Sequence, residues 1–153
     1  MKKKYIGLIL IITIIICLIF SISMLITPNV VKIGEEGTSE IIIPDGFKAT
    51  NSTSHSVVLS NQKSRYTVYE FSNRTFDSIY NEYNTKHINN TVIKSSSQCG
   101  NITVYGLTLM IDNTEIHTNY FYEKNGCTYQ IYPDGEQNQN ILDQLISSTK
   151  KIN

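Results

Sequence analysis

Two kinds of apolar spacing divide the chain. From Ile6 to Ile26, 21 residues pass without a charge. Only Gly7, Thr13, Cys17, Ser21 and Ser23 interrupt the large apolar side chains. As a helix this stretch rises roughly 30 Å, the thickness of a hydrocarbon core. Thr and Ser hydroxyls bond back to helix carbonyls, so they do not bar insertion. Pro28 ends the run. Beyond it, apolar residues recur at strand or helix spacing and never again as a long block.

In that second part, Val30-Val31-Lys32-Ile33 reads as a short strand within a linker around Gly34-Glu35-Glu36-Gly37. Ile41-Ile42-Ile43 is an apolar strand closed by the turn signal Pro44-Asp45-Gly46. Residues 57–60 and 65–72 read as two strands, the second rich in residues that suit a pleated surface. Phe76, Ile79, Tyr80 and Tyr83 predict a helix from Phe76 to about His87, capped by Thr75 with Asp77 in its first turn. A meander follows over 91–96, 102–111, 115–124 and 128–132, with turns at Asp112-Asn113 and Asn125-Gly126. A last helix from about Asn138 to Lys150 buries Ile141, Leu142, Leu145 and Ile146, with Asp134 or Asn138 as cap and Lys150 and Lys151 at its negative end. Short connections favour antiparallel pairing, and two amphipathic helices can cover one face of the sheet. The expected class is α+β: an antiparallel sheet flanked by two amphipathic helices, preceded by one transmembrane helix.

Charge orients this arrangement. Lys2, Lys3 and Lys4 are the only charges before Thr27, leaving ten basic against thirteen acidic residues after it. Basic flanks stay cytoplasmic. The expected organisation is therefore a cytoplasmic start at 1–5, a signal-anchor at 6–26, a linker at 27–39 and an extracytoplasmic domain at 40–153. The chain would sit in the cell membrane as a single-pass protein with its N-terminus inside. Cleavage after Ser23 is the rival reading, since Ser21-Ile22-Ser23 loosely fits a signal-peptidase site, but the apolar run continues through Ile26. A lipoprotein site at Cys17 is disfavoured by Ile16 before it. A pilin leader at Gly7 is disfavoured by Ile12, where that family carries Glu. The acidic outer part offers no basic face, which excludes nucleic acid as a partner. An apolar fraction of 41% and a charged fraction of 17% are those of a folded chain.

The segment Ile43-Pro44-Asp45-Gly46-Phe47, the pattern from Tyr120 to Gly126, the following Tyr129-Gln130-Ile131 and the final amphipathic helix together resemble PsbP-like domains over roughly residues 40–150. Small anchored prokaryotic proteins of unassigned function share this look. The resemblance implies a sheet flanked by helices and a role in binding or assembly rather than catalysis. It transfers no site residues.

Cys99 and Cys127 are a disulfide candidate in an oxidising exterior. With Asp112-Asn113 as a two-residue turn, facing positions sum to 225, so Cys99 would face position 126 and a bulge would absorb the one-residue offset. Four sequons, at Asn51, Asn73, Asn89 and Asn101, are glycosylation candidates, though composition alone supplies roughly three by chance. His55, His87 and His117 lack metal-ligand spacing; Glu115 and His117 are expected on one side of a strand, which is more often a solvated face than a metal site. No Gly-x-Ser-x-Gly elbow or phosphate loop is present. No catalytic residue, metal or cofactor is expected. Alternation sends Tyr120 and Tyr122 to one face and Phe121 to the other, and an aromatic left outside would anchor a partner. The leading expectation is a membrane-anchored extracytoplasmic binding or assembly domain engaging an envelope protein or polymer. A cell-envelope hydrolase and a pilin-like structural subunit are the alternatives.

Overall fold

The computed structural model describes residues 11–17, 29–34 and 38–152. Residues 11–17 are helical (α1) and exposed. The rest of the expected span at 6–26, and Glu35 and Glu36, lie outside the described residues. Among the described residues no helix is long and apolar enough to cross a membrane.

Ten strands and two further helices follow. The strands are β1 (Val30–Ile33), β2 (Ser39–Ile42), β3 (Lys48–Ser52), β4 (Ser56–Ser60) and β5 (Ser64–Ser72), then β6 (Thr91–Cys99), β7 (Ile102–Ile111), β8 (Thr114–Lys124), β9 (Cys127–Gly135) and β10 (Lys150–Lys151). Helix α2 (Phe76–Lys86) lies between β5 and β6, and α3 (Gln139–Ser148) between β9 and β10. The fold is α+β, with every pairing antiparallel among the described strands. Two sheets form rather than one: β1-β2-β10, and β3-β4-β5-β9-β8-β7-β6.

The hairpins follow from residues that accept a left-handed backbone. Asp112 and Asn113 both have positive φ, as do Asn125 and Gly126, so both loops have the signature of type I′ turns, whose twist matches the flanking strands. A third two-residue turn, Gly100-Asn101, joins β6 to β7 by pairing Cys99 with Ile102. That turn was not expected.

Alternation along the strands splits the core in two. Tyr66 and Val68 of β5, Tyr122 of β8, and Tyr129 and Ile131 of β9 face Leu142, Leu145 and Ile146 of α3, together with Ile33 and Ile41 of the small sheet. Phe121 and Leu107, one residue out of phase, face Phe76 and Ile79 of α2. The helices therefore cover opposite faces, not one. The cause is the period of two: Phe121 and Tyr122 cannot share a face.

Three boundaries differ from expectation. Val30–Ile33 belongs to the fold rather than to a linker, because Ile33 is buried against the main core. Strand β3 went unpredicted because all five of its residues are exposed, so it carries no alternating signal. Helix α3 stops at Ser148: the Thr149 hydroxyl is tied to Leu145 O (2.8 Å) and Tyr122 Oη (2.7 Å), and the chain leaves as β10. Lys150 then pairs with Glu40 (2.6 Å) across the small sheet instead of closing a helix.

Candidate functional site

Helix α2 is shorter than the sheet is wide. Its buried residues, Phe76 and Ile79, pack on β7 and β8 through Leu107 and Phe121. Beyond it, on the same face, lie the side chains of β5 and β9 that alternate away from the main core: Thr67, Tyr69, Phe71, Gln130 and Tyr132. Tyr69 is 36% exposed and stacks on Phe71 with ring centroids 6.4 Å apart. The Arg74 guanidinium lies 5.6 Å from the Phe71 centroid.

Between α2 and this face runs a groove of about 410 Å³, floored by Phe71, Phe121 and Gln130 and walled by Ile79 and Tyr83. Its rim is charged. Glu82 pairs with Arg74 and with Lys86 (2.6 Å), and their proximity, Lys86 first and Arg74 second, holds the Glu82 carboxyl below its ordinary value. The α2 N-terminus is closed to a ligand by the chain itself: Thr75 caps it, and Glu123 Oε1 accepts from Phe76 N at 2.8 Å.

One end of the groove holds a linked set of polar side chains. Gln130 Nε2 donates to Asn119 Oδ1 (2.8 Å), Asn119 Nδ2 donates to Tyr83 Oη (3.4 Å), and Tyr83 Oη shares a hydrogen bond with His117 Nε2 (3.0 Å). The His87 ring packs against Tyr83 at a tilt of 45°, and His117 sits edge-on to Tyr132. Burial pushes the Tyr83 phenol up, and burial followed by the nearby His87 pushes the His117 imidazole down. Both groups are therefore neutral at pH 7. A pre-ordered network of this kind supplies directional donors and acceptors to a bound partner.

The expected pairing of Glu115 with His117 on one side of β8 is corrected. A bulge at Ile116 shifts the β7–β8 register, so Glu115 pairs with Met110 while His117 pairs with Leu109. Glu115 accepts from Thr118 on the α3 side, and His117 faces α2. Among the described residues, no three His, Cys, Asp or Glu side chains gather as a metal group.

The same bulge changes the sum of facing positions from 225 to 226, the offset anticipated for Cys99 and Cys127. Cys99 nevertheless lies on β6, because Gly100-Asn101 reverses the chain before β7 begins. Three inter-strand steps, roughly 14 Å, separate it from Cys127 on β9, beyond bridging range. Both thiols are free in this structure. Cys99 lies 3.6 Å from Asp143 O and Cys127 lies 3.8 Å from Glu70 Oε1, with burial raising both thiol pKa values. The four sequon asparagines, Asn51, Asn73, Asn89 and Asn101, are all exposed.

Sequence reasoning missed Glu70. It is 2% exposed on the core side of β5; its Oε1 accepts from Thr38 Oγ1 (3.2 Å), and its Oε2 has no hydrogen-bond partner among the described residues. The signal was available: Tyr66, Val68 and Glu70 alternate onto one face, which places a carboxyl in an apolar row.

No family model matches this chain, and no curated protein matches it. Among solved structures, it is similar to the solution structure of cyanobacterial PsbP (CyanoP) from Synechocystis sp. PCC 6803, at 11% identity and a TM-score of 0.47, over 80% of this chain and 92% of that one. At that identity and score nothing about activity follows from it.

Proposed function

We propose that this chain is a membrane-anchored, extracytoplasmic binding or assembly domain, and that an envelope protein or polymer docks across the open face of β5 and β9 beside α2. The observation that carries the reading is this half-covered face. It combines a part-exposed aromatic pair, Tyr69 and Phe71, with the Gln130 amide at the floor of the groove, held in place by the buried Asn119 behind it. Aromatic anchors flanked by fixed polar groups are what recognition surfaces use. The anchoring half of the proposal rests on the uncharged run from Ile6 to Ile26 behind three lysines.

A photo-crosslinking residue placed at Tyr69 in the full chain, at native abundance in intact cells, tests the docking face. The reading expects a discrete adduct at Tyr69 and none at Gln144, an exposed position on α3. Equal labelling at both positions, or none at Tyr69, contradicts it. The hydrolase alternative draws on a single feature, the Tyr83–His117 hydrogen bond. It requires turnover of an envelope polymer that His117→Gln abolishes while leaving the Tyr69 adduct in place.

A further inference from the structure

The seven-stranded sheet ends in two edges of different character. At β3 the edge is five residues long and broken by a register shift between Ala49 and Asn51. Such a bulge is a common way of blunting an edge. At the other end, β6 runs nine residues, pairs with β7 without interruption from Thr91 to Cys99, and contains no proline. No described strand covers its outer side.

The one charged residue on β6 does not guard that edge. Lys94 Nζ is drawn back over the α2 face, 4.7 Å from the Phe76 ring, 5.0 Å from Tyr80 and 5.2 Å from Tyr105. Ser95, Ser96 and Ser97 follow it, with side chains small enough for a neighbouring backbone to approach. Ile93 stands 48% exposed on the opposite face.

We infer that β6 is a pairing edge for a second copy of this chain, joining two seven-stranded sheets through an antiparallel β6–β6 ladder centred on Ser95. The register follows from hydrogen-bond parity. Cys99 and Ile102 close a two-residue hairpin, so they exchange backbone bonds, and so do Ser97, Ser95, Ile93 and Thr91 with β7. Val92, Lys94, Ser96 and Gln98 therefore turn their N–H and C=O groups outward. A two-fold through Ser95 sets Lys94 against Ser96 and Val92 against Gln98 of the second copy, and all nine residues of each strand overlap. Centring on Lys94 would instead place like charges face to face, which disfavours that register. In the favoured register the charge faces a neutral hydroxyl, and Ile93 gains a neighbour over Ser97 of the second copy.

The two Ser95 residues then form a non-hydrogen-bonded pair, with Cα atoms about 4.5 Å apart, within disulfide range. Full-length Ser95→Cys, oxidised mildly in membranes, is expected to give a covalent dimer. Gln98→Cys is expected to give at least about tenfold less, because six residues per strand, roughly 20 Å, then separate the two thiols. Ser96→Pro deletes one outward N–H while leaving the β7 ladder intact, and it is expected to shift the full chain in detergent from dimer to monomer without loss of its circular dichroism spectrum. A folded Ser95→Cys that crosslinks no better than Gln98→Cys, or that couples to a different protein, overturns the inference. So does a folded wild-type chain that sediments as a monomer and is unchanged by Ser96→Pro.

Discussion

Buried hydroxyls do much of the positioning at the level of single residues. Tyr122 Oη to Thr149, and Tyr129 Oη to Ser39 at 2.7 Å, tie the large sheet to the end of α3 and to the small sheet. Burial, the largest cause, lifts both phenols well above their ordinary value, so they remain neutral hydroxyls under any physiological condition. Tyr122→Phe leaves Thr149 without this partner and is expected to cost about 1 kcal/mol in denaturant unfolding. Gly34, at φ +94, packs so closely that a Cβ would run into Glu70 Oε1 and Thr38 Oγ1. Gly34→Ala is expected to lower stability by about 1–3 kcal/mol, since it adds a backbone conformation that side chains resist to a steric clash. His117 adds a pH dependence. Its folded pKa lies below the ordinary 6.5. Between the two values the unfolded chain holds a proton that the native chain refuses, so stability falls as pH drops through 6.5 and levels off below the folded value. His117→Gln is expected to flatten that part of the profile when the chemical midpoint is compared at pH 7 and pH 5. None of these three couplings, Tyr122 to Thr149, Gly34 to Glu70 and His117 to Tyr83, was legible in the sequence, because each joins residues more than twenty-five positions apart.

Turn chemistry and alternation were legible at the level of elements, and exposed pairing was not. Asp112-Asn113 and Asn125-Gly126 announce their hairpins because few residues accept consecutive positive φ. The stripe of Phe76, Ile79, Tyr80 and Tyr83 announces α2 because burial demands that spacing. By contrast, β3 buries nothing, and β10 is two exposed residues defined only by their pairing with β2. A single inserted residue at Ile116 was equally invisible, yet it decides which face Glu115 joins. Of the two caps offered for the last helix, Asn138 is the one used, its Oδ1 accepting from Asn140 N at 2.9 Å, while Asp134 of β9 pairs with Arg65 of β5. Asn138→Ala is expected to lower stability by about 1 kcal/mol, and Asp134→Ala by much less, which thermal melts of the two variants would separate.

The whole molecule is a sheet with unequal cover. One face carries α3 and the small sheet, and the other carries α2 over only part of its width. The candidate site is a consequence of that inequality. Alternation alone placed Tyr69 and Phe71 opposite Tyr66 and Val68, but the sequence did not reveal that α2 would stop short of them, because where a helix lies on a sheet depends on contacts such as Phe76 on Phe121. If a partner lies on this face, the amides of β5 and β9 gain protection wherever that partner is present. Hydrogen exchange of the full chain in its native membrane, set beside the purified chain in detergent, measures this directly. The account predicts slower exchange across residues 67–72 and 128–132 in the membrane, with the α3 side unchanged. Equal exchange on that face in both preparations would contradict it.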